Sequence, residues 1–82
     1  MSQDLRKAFA RLLQQVADGQ IPPQQALDSI SEDELVQDKL MSRAWHVLQH
    51  FIDDDDIRSR EAEYDLARRR ELATLAEKLL KD

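Results

Sequence analysis

The sequence predicts an all-α fold, a small antiparallel bundle of three to four helices. Three observations carry that expectation. Apolar residues recur at helical spacing through most of the chain. The periodic stretches are joined by short turns, as in up-and-down bundles. No segment sustains the period-2 alternation of β-branched residues that a half-buried strand requires. Eighty-two residues support one core, so the chain reads as a single domain over 1–82.

The first helix is expected over 4–18. Leu5, Ala8, Phe9, Leu12, Leu13, Val16 and Ala17 fall at offsets 0, 3, 4, 7, 8, 11 and 12, which is one helical face. Ser2 or Asp4 is placed to cap its start. Gly19, the only glycine, stands where a helix ends in the left-handed conformation. From there Ile21 can fold back onto the last turn. Pro22 and Pro23 suit the first turn of a second, short helix over 23–30, carrying Ala26, Leu27 and Ile30.

Ser31 and Glu34 have the spacing of a capping box, and Ile30 and Leu35 flank it as a hydrophobic staple. A third helix is expected over 32–52. Its apolar arc runs through Val36, Leu40, Val47, Phe51, Leu48, Met41, Ile52 and Trp45 around Ala44. That arc covers about half the circumference, wider than the roughly 100° of a surface helix, so this helix should be central. Asp53, Asp54, Asp55 and Asp56 then end it, because adjacent anions repel near the negative end of a helix dipole. They are expected to form an acidic loop.

The last helix is expected over 62–80. Leu72, Leu75, Ala76, Leu79 and Leu80 make a regular stripe in its second half. Projected backwards, the stripe meets Asp65, Arg68 and Arg69. These charges must be paired or solvated, and a partner from the Asp53–Asp56 run or the third helix is expected for at least one arginine. The predicted core is Phe9, Leu12, Leu40, Val47, Leu48, Phe51, Leu72, Leu75 and Leu79.

Composition narrows the function. With 41% hydrophobic and 35% charged residues the chain is neither disordered nor low-complexity. The absence of Cys removes disulfides and thiolate metal sites. No apolar run approaches the roughly 18 residues of a membrane helix, and the opening residues lack signal-peptide order. A soluble, cytoplasmic protein without membrane contact is the expectation. The net charge of −5 opposes direct nucleic-acid binding. The charge is concentrated: residues 31–57 hold eight acids against Lys39 and Arg43, while 1–30 balance and 58–82 carry a single excess positive charge.

No cysteine nucleophile, phosphate-binding glycine loop or G-x-S-x-G elbow is present, and a small bundle leaves little room for a pocket of roughly 300 Å³. The expectation is therefore no enzyme, no catalytic residues and no cofactor. His46 and His50 stand four apart, with Asp53 three further on, within about 60° on the polar face. That is the spacing of a helical metal pair, but Val47 replaces the zincin acid, and no third and fourth ligand follow. Two surface histidines are the plainer reading. The aspartate run fails the EF-hand pattern, since Ile57, Arg58 and Tyr64 occupy key positions. Arg68–Arg70 lie among Glu63, Asp65 and Glu71, so helical pairing of Asp65 with Arg69 accounts for them better than nucleic acid. Trp45, at the edge of the apolar arc, reads as a core contact before an interface anchor.

Leu48, Phe51, the Asp53–Asp56 run, Ile57-Arg58 and a helix closing on Glu71-Leu72 and Leu75, in a small acidic helical chain, resemble the bacterial colicin-type immunity proteins over about residues 44–80. The resemblance implies a helical inhibitor that meets a toxic nuclease through acidic surfaces. The tyrosine-rich, glycine-containing binding segment of the DNase-immunity branch has no counterpart, as only Tyr64 and Gly19 are present. No binding residues carry over.

The sequence thus points to a non-catalytic domain that binds another protein, a basic one, with Asp53, Asp54, Asp55, Asp56, Arg68 and Arg69 as candidate contacts. The alternatives are a divalent-metal protein built on His46, His50 and Asp53, and a structural homo-oligomer. EDTA treatment separates the first alternative. The melting temperature is expected to be unchanged, and a fall that zinc reverses would make the histidine pair functional.

Overall fold

The computed structural model describes residues 2–81, and of these the side chains of all but Ser2, Gln3 and Glu32. Six helices follow one another: α1 (Ser2–Ala17), α2 (Pro23–Leu27), α3 (Glu32–Val36), α4 (Lys39–Asp53), α5 (Asp55–Arg60) and α6 (Ala62–Lys81). No strand occurs among the described residues. The all-α expectation holds, with α1, α4 and α6 as the long members.

α1 begins earlier than its apolar stripe, and the Ser2 cap anticipated for it lies outside the described side chains. Its end is as expected. Gly19 takes φ +76, the left-handed region that side chains disfavour. Gln20 N–H donates to Gln15 O at 2.8 Å and Gly19 N–H to Val16 O at 3.0 Å, which is the Schellman pattern. α2 is shorter than the 23–30 span. It stops at Leu27, and Ser29 Oγ donates to Ala26 O at 2.6 Å in the turn that follows.

The expected 32–52 helix is two helices. α3 starts at the predicted capping box, where the Glu34 carboxylate accepts from Ser31 N–H at 3.4 Å and from its hydroxyl at 2.9 Å. The chain then leaves helical geometry at Asp38, with φ −138 and ψ 106. There the Asp38 carboxylate accepts from Leu40 N–H at 3.1 Å and Met41 N–H at 3.3 Å, giving α4 its own N-cap. Arg6 of α1 fixes the carboxylate through Nε at 2.5 Å and Nη2 at 3.0 Å. An aspartate with a bidentate arginine partner satisfies more groups by capping than by continuing the helix. The break turns Val36 out of the apolar arc into solvent, at 83% exposure.

The Asp53–Asp56 run is likewise not a loop. Asp53 closes α4, Asp54 is at once the C-cap of α4 and the N-cap of α5, and Asp55 and Asp56 form the first turn of α5. Carboxylates at that position face the positive end of a helix dipole, which favours them.

The core gathers Phe9, Leu13 and Val16 of α1, Met41, Ala44, Leu48 and Phe51 of α4, and Leu72, Leu75, Ala76 and Leu79 of α6. Of the predicted core, Leu12, Leu40 and Val47 are only partly buried and pack against its rim. Leu13, one residue on, takes the central place beside Phe9. Trp45 is half-buried, and its indole Nε1–H donates to Leu27 O at 3.2 Å, tying α4 to α2. α1 and α6 form the most extensive helix pair. Arg69, two turns into α6, sits at the C-terminal end of α1, so the rest of α6 returns along α1 in the opposite sense.

Arg6 chiefly, and the two backbone donors of α4 with it, hold the Asp38 carboxyl below the ordinary carboxylate range. A depressed folded-state pKa contributes stability that is complete above the unfolded value and is lost as pH falls through the folded one. Asp38→Ala removes the α4 cap and the two charge-assisted hydrogen bonds from Arg6, so it is expected to cost roughly 2–3 kcal/mol at neutral pH. The variant should also lose less stability than the parent between pH 5 and roughly pH 2, as read by urea unfolding.

Candidate functional site

The sequence candidates converge on the α4–α5–α6 end. Asp53, Asp55 and Asp56 are exposed there, Asp55 at 80% of its side chain. Asp54 is half-buried and accepts the Tyr64 hydroxyl at 2.6 Å. That bond to a carboxylate raises the phenol's pKa above its usual value of 10.0, because the proton is held where an anion would be repelled.

The basic residues at this end turn inward. Arg58 of α5 is buried, with Nε–H donating to Phe51 O at 3.0 Å and Nη1 to Asp65 Oδ1 at 3.1 Å. Its guanidinium lies 3.5 Å from the Phe51 ring centroid. Only its Nη2 reaches the aspartate run, at 3.5 Å from Asp55. Arg69 binds the other Asp65 oxygen at 2.8 Å and donates from Nη1 to the terminal carbonyls of α1, Val16 O at 2.9 Å and Ala17 O at 3.3 Å. A cation at a helix C-terminus meets the negative end of its dipole. Hydrogen bonds from Arg69 first, and from Arg58 second, hold the Asp65 carboxyl below the ordinary carboxylate range.

Arg68 lies 2.9 Å from Glu71 through Nη1, with its ring neighbour Tyr64 at 5.4 Å. The pair is an ion contact without hydrogen-bond alignment, since Arg68 Nε and Glu71 Oε1 are buried with no hydrogen-bond partner among the described residues. The charges interrupting the α6 stripe are therefore paired, as their position requires. Their ion-pair partners are Asp65 and Glu71 of α6 itself, not the aspartate run or α4, so the expected source of the partner is corrected. The arginine that does meet that run is Arg58, which the stripe argument did not reach. Its signal in the sequence was a basic residue two positions after four acids, at helical i,i+3 spacing from Asp55.

Two depressions border this end. Val47, His50, Phe51, Asp54, Arg68 and Glu71 line a cleft of about 200 Å³. A second, of about 390 Å³, lies between the Gly19–Pro23 turn and the Arg58–Arg69 pair, and it is larger than the sequence argument allowed. Both of its guanidiniums already serve carboxylates and carbonyls, which leaves it little chemistry to offer a small ligand.

His46 and His50 are exposed on α4. His46 Nδ1 lies 2.7 Å from Ser42 O, a bond that requires the proton on Nδ1 and leaves Nε2 outward, and its ring meets Trp45 edge-on at 5.4 Å. Among the described residues no three or more His, Asp or Glu side chains are grouped to hold a metal ion. Among the described residues no helix is long and apolar enough to cross a membrane. Compared with family models, curated proteins and solved structures, the chain matches none.

The two arginine sites should differ sharply in stability. Arg58→Ala leaves Asp65 half-paired and a void over Phe51, for an expected loss of about 3 kcal/mol. Arg68→Ala removes a half-exposed pair and should cost less than about 1 kcal/mol, shrinking further in salt. Urea unfolding at low and high ionic strength measures both.

Proposed function

We propose that this chain is a non-catalytic binding domain whose acidic α4–α5 end engages a basic partner protein, in the manner of an immunity-like inhibitor. One observation carries the reading. Arg68 and Arg69 spend their charge on Glu71, Asp65 and the end of α1, and Arg58, held by Asp65, reaches the run only at Asp55, so Asp53 and Asp56 face solvent with no ion pair among the described residues. The run also spans the α4–α5 junction, where Tyr64 holds the Asp54 carboxylate and the helical backbone sets the spacing of the others. An acidic array accelerates encounter with a basic surface and orients it.

Capture from native lysate tests the proposal, with the Asp53→Asn/Asp55→Asn/Asp56→Asn variant run beside the parent after its melting curve confirms folding. The parent is expected to retain basic proteins at low salt and release them at high salt, and the variant to retain them weakly or not at all. Equal recovery by both proteins would remove the acidic end from the function.

A further inference from the structure

α5 is a six-residue helix, too short to keep its form without contacts from outside. Those contacts are few. Asp55, Asp56, Ile57, Ser59 and Arg60 are all exposed, and Ile57, the one apolar side chain of the helix, lies outside the core. Ser59 and Arg60 donate to Asp56 O, within α5 itself. What ties the helix to its neighbours is the buried Arg58, through Phe51 O and the Phe51 ring on α4 and through Asp65 on α6. The still shorter α2 and α3 are each anchored by a buried apolar side chain, Ala26 and Leu35. α5 alone is held by a charge.

The backbone leaves helical geometry at both ends of α5. Asp54 has φ −87 and ψ 12, and Glu61 is extended at φ −127 and ψ 101. Residues at the ends of elements absorb the change in backbone angle when a segment moves. We infer that α5 is a strap latched by one guanidinium, which detaches and unravels as a unit while α4 and α6 stay folded, and which a basic ligand spanning α4 and α5 closes. Asp55 and Asp56 travel with the strap, whereas Asp53 stays on α4. A ligand that touches both binds the closed form more tightly and draws the population toward it. The closure rests on the proposal that a basic partner engages the acidic end; the latch does not.

Native-state hydrogen exchange tests the latch. The reporters are the amides of Arg58, Ser59, Arg60 and Glu61, of which Arg58 N–H donates to Asp54 O and Glu61 N–H to Ile57 O, both at 2.9 Å. The amides of Leu48 and Leu75 stand for the core. The reporters are expected to share one protection level, about tenfold or more below the core. Mild urea should speed the core amides and leave the reporters unchanged, because opening so short a strap exposes little surface. Arg58→Ala is expected to lower reporter protection about a hundredfold with Leu48 and Leu75 still protected. Reporters that follow the core in urea, exchange at unrelated rates or lack protection in the parent overturn the latch. So does an Arg58→Ala chain that does not fold, or one whose reporters exchange as before. An oligolysine peptide, its binding read by calorimetry, then serves as the basic ligand, and at saturation it should slow the reporters about tenfold. Binding that leaves them as fast as before overturns the closure and keeps the latch. Absence of binding removes the acidic-end proposal and the closure together, while the urea series on the parent decides the latch by itself.

Discussion

The Asp65 carboxylate is the point on which three helices depend. One oxygen takes Arg58 from α5 and the other takes Arg69 from α6. Through Arg69 the same carboxylate is connected to the last carbonyls of α1. Two guanidiniums beside the core would each be costly alone, but the shared acid, the carbonyls of Phe51 and Val16, and the Phe51 ring leave few of their donors unmet. The cluster closes the end of the bundle where α6 has no leucines to offer. Leu66 is exposed there, and charge pairing replaces apolar packing over the first two turns.

That replacement shapes the surface. Arginines committed to the interior screen little of the run that precedes them, Arg58 reaching only Asp55, so the same contacts that secure α5 against α6 leave acidic residues outside. Stability and surface charge at this end are thus one arrangement, with Asp55 and Asp56 favoured by the α5 dipole.

At the other side of α4, Asp38 plays a comparable part. By capping α4 and accepting Arg6 it interrupts a pattern of apolar residues that would otherwise run through one continuous helix. The interruption lets α3 fold against α4 while Leu35 stays in the core, and its cost is an exposed Val36 beside a half-buried Trp45. Buried polar contacts thus decide both places where the surface departs from an ordinary solvated bundle.

The sequence by itself determined the helical class, the end of α1, the start of α3 and most of the core, because these follow from local rules: a periodic face, a glycine free to take positive φ, and a capping box within four residues. It also required the α6 charges to be paired, and the Asp65–Arg69 contact was legible as a helical i,i+4 pair. Only the tertiary structure decided the break at Asp38, since the residue that makes capping favourable there is Arg6, thirty-two positions away. Only it decided that Arg58 is buried, because its acceptors, Phe51 O and Asp65, come together when α5 folds between α4 and α6. Periodicity reads one helix at a time, and a side chain whose partners lie on other helices leaves no mark in it.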